Sequence, residues 1–143
     1  MRLLSPHFSL EELTITDHRE LTNEPNETEI KNLERLAEFL ERIKTVLEGR
    51  PIMVNSAFRS ELVNAACKSK SSSQHRTGNA CDFRVPGMTP NEVMQTIISS
   101  DLPFDQCIRE FDRWTHVSIP NLEGEKPRRE ALIIDHSGTR FYP

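Results

Sequence analysis

The chain has 143 residues, 36% of them hydrophobic and 28% charged, with a formal net charge of −4. Domains peak at roughly 100–150 residues, so one domain is expected over residues 1–143, and this composition excludes a wholly disordered or low-complexity chain. The acidic balance argues against a nucleic-acid partner, and no run approaches the ~20 apolar residues of a membrane span, so no membrane insertion is expected.

Met1 to His7 turns polar too soon for the roughly 7–15 apolar residues of a signal-peptide core, so export from the cytoplasm would need another route. Ser9-Leu10-Glu11-Glu12-Leu13 has the spacing of a capping box and predicts a helical turn. After a loop at Thr22 to Asn26, Asn26-Glu27-Thr28-Glu29 opens the clearest helix. Its apolar residues Ile30, Leu33, Ala37, Leu40, Ile43 and Leu47 recur every three or four positions and make one buried stripe, ended by Gly49 and Pro51. Pro51 to Phe58 reads as a strand, and Ser60 caps a short helix through about Cys67. Lys68 to Gln74 is a Ser/Lys loop without periodicity. Ala80 to Val85 reads as a second strand, closed by Pro86-Gly87. Thr89-Pro90-Asn91-Glu92 then combines a cap, a proline at N1 and a glutamate at N3 ahead of Val93, Met94, Ile97 and Ile98. Gln106 to Glu110, Trp114 to Ile119, Ala131 to Asp135 and Thr139 to Tyr142 are strand-like, the last two joined by a turn at His136-Ser137-Gly138. Helices first and hairpin-linked strands last predict an α+β fold, a small antiparallel sheet with helices packed on one side. The three cysteines form no CxxC pair and read as reduced, mostly buried thiols.

Chemistry concentrates in Ser73-Gln74-His75-Arg76-Thr77-Gly78-Asn79-Ala80-Cys81-Asp82-Phe83. In an extended strand Cys81, Phe83 and Val85 share the core side, and Asp82 projects the other way, towards a cleft. Gly78 permits a sharp turn between His75 and that strand. His75 and Asp82 suit a metal ion. Catalytic zinc takes three protein ligands and a water, and Trp114-Thr115-His116-Val117-Ser118 supplies the third: alternation sets His116 apart from Val117 and Ile119, on the face of Trp114 and Ser118. Two imidazoles and one carboxylate leave a Zn²⁺ site with a net charge of about +1, which acidifies a bound water from about 15.7 towards about 7. A base is still needed. With a three-residue loop at Phe111-Asp112-Arg113, Glu110 faces Trp114, Ile108 faces His116, and Glu110 shares the face of His116. A four-residue loop would favour Asp112, so Glu110 is the first candidate and Asp112 the second. Arg59 is placed to clamp a substrate carboxylate. Ser73 either binds substrate or fixes its loop, and Trp114 is either a core aromatic or a substrate-stacking wall. His7, His18 and His136 read as surface residues, Cys81 as packing, and Asn64 as a loop-anchoring amide.

The pattern S-x-H-x-x-G-x-A-x-D, met by Ser73, His75, Gly78, Ala80 and Asp82, resembles the zinc D-Ala-D-Ala carboxypeptidase and L-Ala–D-Glu endopeptidase family (peptidase M15, short phage-type branch), which shares the hedgehog fold. Trp114, His116 and Ser118 match its last-ligand strand. Phe58-Arg59-Ser60 with Asn64 resembles its substrate-arginine segment, and Ser5 to Leu13 resembles the opening of the short branch. The resemblance implies one Zn²⁺ ion on His75, Asp82 and His116 and the peptide stem of bacterial peptidoglycan as substrate. Many members carry the base three residues before the last ligand His, where this chain has Arg113; in the short branch an acidic residue on the preceding strand appears instead, which Glu110 matches. The compact chain looks like a monomeric phage endolysin, held in the cytoplasm of a bacterial host and acting on the wall after release. A D-Ala-D-Ala carboxypeptidase is the near alternative. A non-catalytic zinc-stabilised wall-binding or virion module is the distant one.

Overall fold

The computed structural model describes residues 1–143. Strands β1 (Leu3–Ser5) and β2 (Phe8–Ser9) form a hairpin that leads into helix α1 (Leu10–Leu13). The hairpin is too short to show alternation in the sequence, and Glu41 anchors it by accepting from the Ser5 hydroxyl and the His7 amide, both at 2.7 Å. Ser9 and Glu12 cap each other's backbone at the start of α1, as their spacing predicts.

Helix α2 (Glu27–Val46) starts at a reciprocal cap between Asn26 and Glu29. Its buried face holds Leu33, Leu36, Ala37, Phe39, Leu40 and Ile43. That face is wider than the expected stripe: Leu36 and Phe39 join it, and Ile30 is only half-buried. Burying each large apolar side chain contributes about 1.5–3 kcal/mol, so packing outweighs intrinsic propensity in holding this helix. Two shorter helices follow, α3 (Glu61–Ala66) and α4 (Pro90–Ile98), with a 3₁₀ turn at Gln74–Thr77 between them.

The remaining strands are β3 (Met53–Ser56), β4 (Ala80–Arg84), β5 (Gln106–Glu110), β6 (Trp114–Ser118), β7 (Glu130–Asp135) and β8 (Gly138–Phe141), joined in one sheet of order β3-β4-β6-β5-β7-β8. The fold is α+β. Neighbouring strands are antiparallel except β5 and β7, which run parallel where hairpins alone were expected. The connection explains this. After β6 the chain crosses to the far side of β5, and Arg129 fastens the returning segment. Its guanidinium lies 4.4 Å over the Phe104 ring and donates to the carbonyls of Ile98, Ser100 and Leu102. Such a tertiary anchor leaves no periodic trace in the sequence.

One sheet face carries Cys81, Phe83, Cys107 and Val117 into a core of 23 buried residues shared with α2 and α4. Burial pushes the Cys107 thiol up to about 12 and the Cys81 thiol well above its ordinary value, as expected of packing residues; Cys67 is exposed. The other face is open and carries the cleft. No helix is long and apolar enough to cross a membrane.

Candidate active site

Strand pairing assembles most of the site. Asp82 in β4 and His116 in β6 are direct register partners, and both side chains leave the sheet opposite to Cys81, Phe83 and Val117, which are fully buried. His75 comes from the 3₁₀ turn. Ser73 caps that turn, its hydroxyl accepting from the His75 amide at 3.2 Å. Gly78 then takes a left-handed conformation at φ +82°, and a Cβ on it would lie 3.1 Å from both the Glu29 carbonyl oxygen and Leu33 Cγ. Only glycine lets the turn rest so closely on α2. Arg76 pairs with Glu29 at 2.5 Å and Asn32 Nδ2 donates to the Thr77 carbonyl at 2.9 Å, fastening the turn further.

His75, Asp82 and His116 are all buried, and one potential ligand atom of each lies within 4.8 Å of the others. His75 Nδ1 is 2.7 Å from the Ala57 carbonyl oxygen, an acceptor only, so this nitrogen carries the proton. Burial pushes the His75 imidazole below its ordinary value, despite the charge of Asp82. The neutral ring therefore turns the lone pair of Nε2 to Asp82 Oδ2, 3.3 Å away. Burial alone would raise the Asp82 carboxyl, but the flanking histidines hold it well below the usual carboxylate range. His116 Nδ1 lies 2.9 Å from Asp82 Oδ1; burial works against its charged form, yet the bond to Asp82 and the charge of Asp82 raise it.

Glu110 enters from β5. The loop Phe111-Asp112-Arg113 sets Glu110 opposite Trp114 and Ile108 opposite His116. Glu110 Oε2 accepts from the Trp114 indole N–H at 3.0 Å, while Oε1 lies 4.0 Å from His116 Nδ1. Burial, helped by the charge of Asp82, pushes the Glu110 carboxyl above its ordinary value. Asp112 is the one candidate that the fold does not bring here: it is 72% exposed and pairs with Arg109 at 3.2 Å. Arg59 Nη2 lies 3.4 Å from Asp82 Oδ2, and its Nε donates to the Ser56 hydroxyl at 3.0 Å.

These groups line a cleft of about 630 Å³, with Ile108, Ser73 and Trp114 in its walls. Arg59, Asp82 and Trp114 also border a second hollow of about 470 Å³ that reaches Ile15 and Asn55. A larger groove of about 700 Å³ between α2 and the segment Pro120 to Pro127 is lined by neither histidine nor cysteine.

Residues 6–118 match the family model described as Peptidase M15. The chain belongs to the Peptidase M15 family. No curated protein matches it. Membership makes the chain a metallopeptidase of a zinc-dependent family, and the matched span contains His75, Asp82, Glu110 and His116. The donor set of this Peptidase M15 chain fits zinc: two imidazole nitrogens and a carboxylate suit that ion, and an ionised carboxylate opposite a lone-paired nitrogen is an arrangement that a cation satisfies.

The cleft of this Peptidase M15 domain also contains residues that the sequence did not single out. Gln106 shares the parity of Ile108 and Glu110 along β5, a signal that points to it. Leu132 and Ile134 reach the same wall through the parallel pairing of β7, and Arg128 does so from a loop. Neither placement has a local signature.

Proposed function

We propose that this chain hydrolyses an amide bond in the peptide stem of bacterial peptidoglycan, at the L-Ala–D-Glu junction, in the manner of an endolysin. The observation that carries the reading is the buried His75–Asp82–His116 cluster beside a second, desolvated carboxylate, Glu110, in an open cleft. His75 Nε2, Asp82 and His116 Nδ1 are the groups that would hold zinc. When bound, the ion supplies Lewis acidity, which acidifies a water and polarises a carbonyl.

The remaining work belongs to the chain. Trp114 occupies Glu110 Oε2, so Oε1 is the oxygen left to take a proton from the attacking water and return it to the leaving amine. Ser56 and Asp82 orient Arg59, which binds a substrate carboxylate or the developing oxyanion. Ser73 keeps His75 in place by accepting from its amide, and it also lines the cleft. The two hollows that share Arg59, Asp82 and Trp114 in their linings support an internal bond, because a stem peptide continues past the scissile bond in both directions.

Digestion of purified peptidoglycan by the zinc-loaded protein, followed by mass spectrometry of the products, tests this. A new amine on D-Glu is expected, with activity lost on chelation and restored by zinc. Release of free D-Ala would assign a carboxypeptidase instead. Intact peptidoglycan would leave the cluster with a structural role in a binding module.

A further inference from the structure

One wall of the cleft holds charge that the proposed chemistry does not use. Four cationic residues line the cleft: Arg59, Lys68, Lys70 and Arg128. Arg59 lies against Asp82 at 3.4 Å and Arg128 against Asp105 at 2.7 Å. Lys68 and Lys70 are exposed and make no ion pair. In a chain of net charge −4 these two free cations give the cleft lining, otherwise balanced by Asp82 and Glu110 against Arg59 and Arg128, a positive excess.

The backbone holds both lysines in place. Helix α3 ends in a Schellman motif, with the Ser69 amide donating to the Asn64 carbonyl at 3.2 Å and the Lys68 amide to the Ala65 carbonyl at 2.9 Å. Lys68 thereby adopts φ +57°, at the position that helices most often give to glycine. The chain keeps a long cationic side chain where local conformation favours none. Asn64, itself buried, donates from Nδ2 to the Lys70 carbonyl at 3.0 Å, and the Ser73 amide donates to the same carbonyl at 2.9 Å. The loop between α3 and the His75 turn is thus pinned at both lysines.

We propose that Lys68 and Lys70 form a carboxylate-recognition site in the cleft, which favours stem peptides with free carboxylates over the same peptides capped as carboxamides. The proposal rests on the stem-peptide reading above. A stem peptide carries carboxylates outside its amide backbone, on its glutamate and on a dicarboxylic diamino acid. Conversion to a carboxamide keeps the shape and removes the charge, so cations near the substrate distinguish the two forms.

The test compares KM for two muropeptides that differ only in carboxylate against carboxamide at those positions. The wild-type protein is expected to show the lower KM for the carboxylate form. In the double variant Lys68→Gly/Lys70→Ala the ratio of the two KM values is expected to shrink about fivefold, a factor ordinary for solvent-exposed ion pairs. Glycine suits the left-handed position, so the melting temperature should not fall below that of the wild type. Lys31→Ala, which removes a charge from the groove beside α2, should leave the ratio as it is. Equal KM values in the wild type overturn the lysine site and leave the peptidase reading standing. So does a ratio that survives in the double variant or shrinks equally in Lys31→Ala. Failure of the wild type to cut either muropeptide overturns the stem-peptide reading and the lysine site with it.

Discussion

Glu110 reaches the His75–Asp82–His116 cluster because the β5–β6 hairpin turns in three residues, two of which hold strained backbones. Phe111 at φ +54° and Asp112 at φ +51° occupy the left-handed region without being glycine, and such residues gather where geometry serves a site. The result separates two acids that lie close in sequence: Glu110 Oε1 is 4.0 Å from His116 Nδ1, while the Asp112 carboxylate faces solvent. Glu110→Gln preserves shape and the Trp114 contact but removes the proton acceptor. It should lower kcat by about 10²–10⁴-fold with zinc content unchanged, as steady-state kinetics and metal analysis would show. Asp112→Asn should leave kcat within about twofold, since an exposed side chain outside the cleft takes no part in proton transfer. If the two variants behaved in the opposite way, the base would be misassigned.

Among the elements, α2 works as the backing of a candidate ligand, His75. The His75 turn rests on it through Gly78, the Arg76–Glu29 pair and the Asn32 bond to Thr77. Gly78→Ala adds both a left-handed penalty and an over-tight contact with backbone, and should cost about 2–4 kcal/mol in urea unfolding. Gly49→Ala has the same φ of +82° and open space around it, so it should cost only about 1 kcal/mol. The difference isolates the close approach. Legibility in the sequence follows the same division between local and distant causes. Capping boxes and apolar spacing disclose α2 and α4, and alternation alone places Asp82 and His116 on one face, because both signals are encoded within a few residues. The β1–β2 hairpin, the direction of β7 and the arrival of Arg128 at the cleft depend on contacts such as Glu41 with His7 and Arg129 with Phe104, which no local pattern records.

At the scale of the whole molecule, Asp105 ties three parts together. It pairs with Arg128 at 2.7 Å from the β6–β7 connection and accepts from Gln74 at 3.1 Å in the His75 turn, while standing just before β5. Burial would raise its carboxyl, but the Arg128 hydrogen bonds outweigh this and hold it below its ordinary value. The unfolded chain therefore binds a proton more readily than the folded one. This contribution to stability is complete above the ordinary aspartate value of about 3.9 and is lost as pH falls through the lower folded value. Wild type should exceed Asp105→Asn in unfolding free energy at pH 7, and the gap should close in acid. A gap independent of pH would remove the ion pair from the account.

The direct pairing of Asp82 with His116 has a consequence for ion choice. Their separation is a property of the β4–β6 ladder, whose strands lie about 4.7–4.9 Å apart, and not of a loop that can relax around whatever it meets. A large hard cation such as Ca²⁺ seeks about six to eight oxygens; this pair offers one carboxylate, and spreading it would break main-chain hydrogen bonds on both strands. The sheet register thus fixes the spacing of two of the three candidate ligands, and their imidazole and carboxylate donors disfavour such an oxygen-seeking cation.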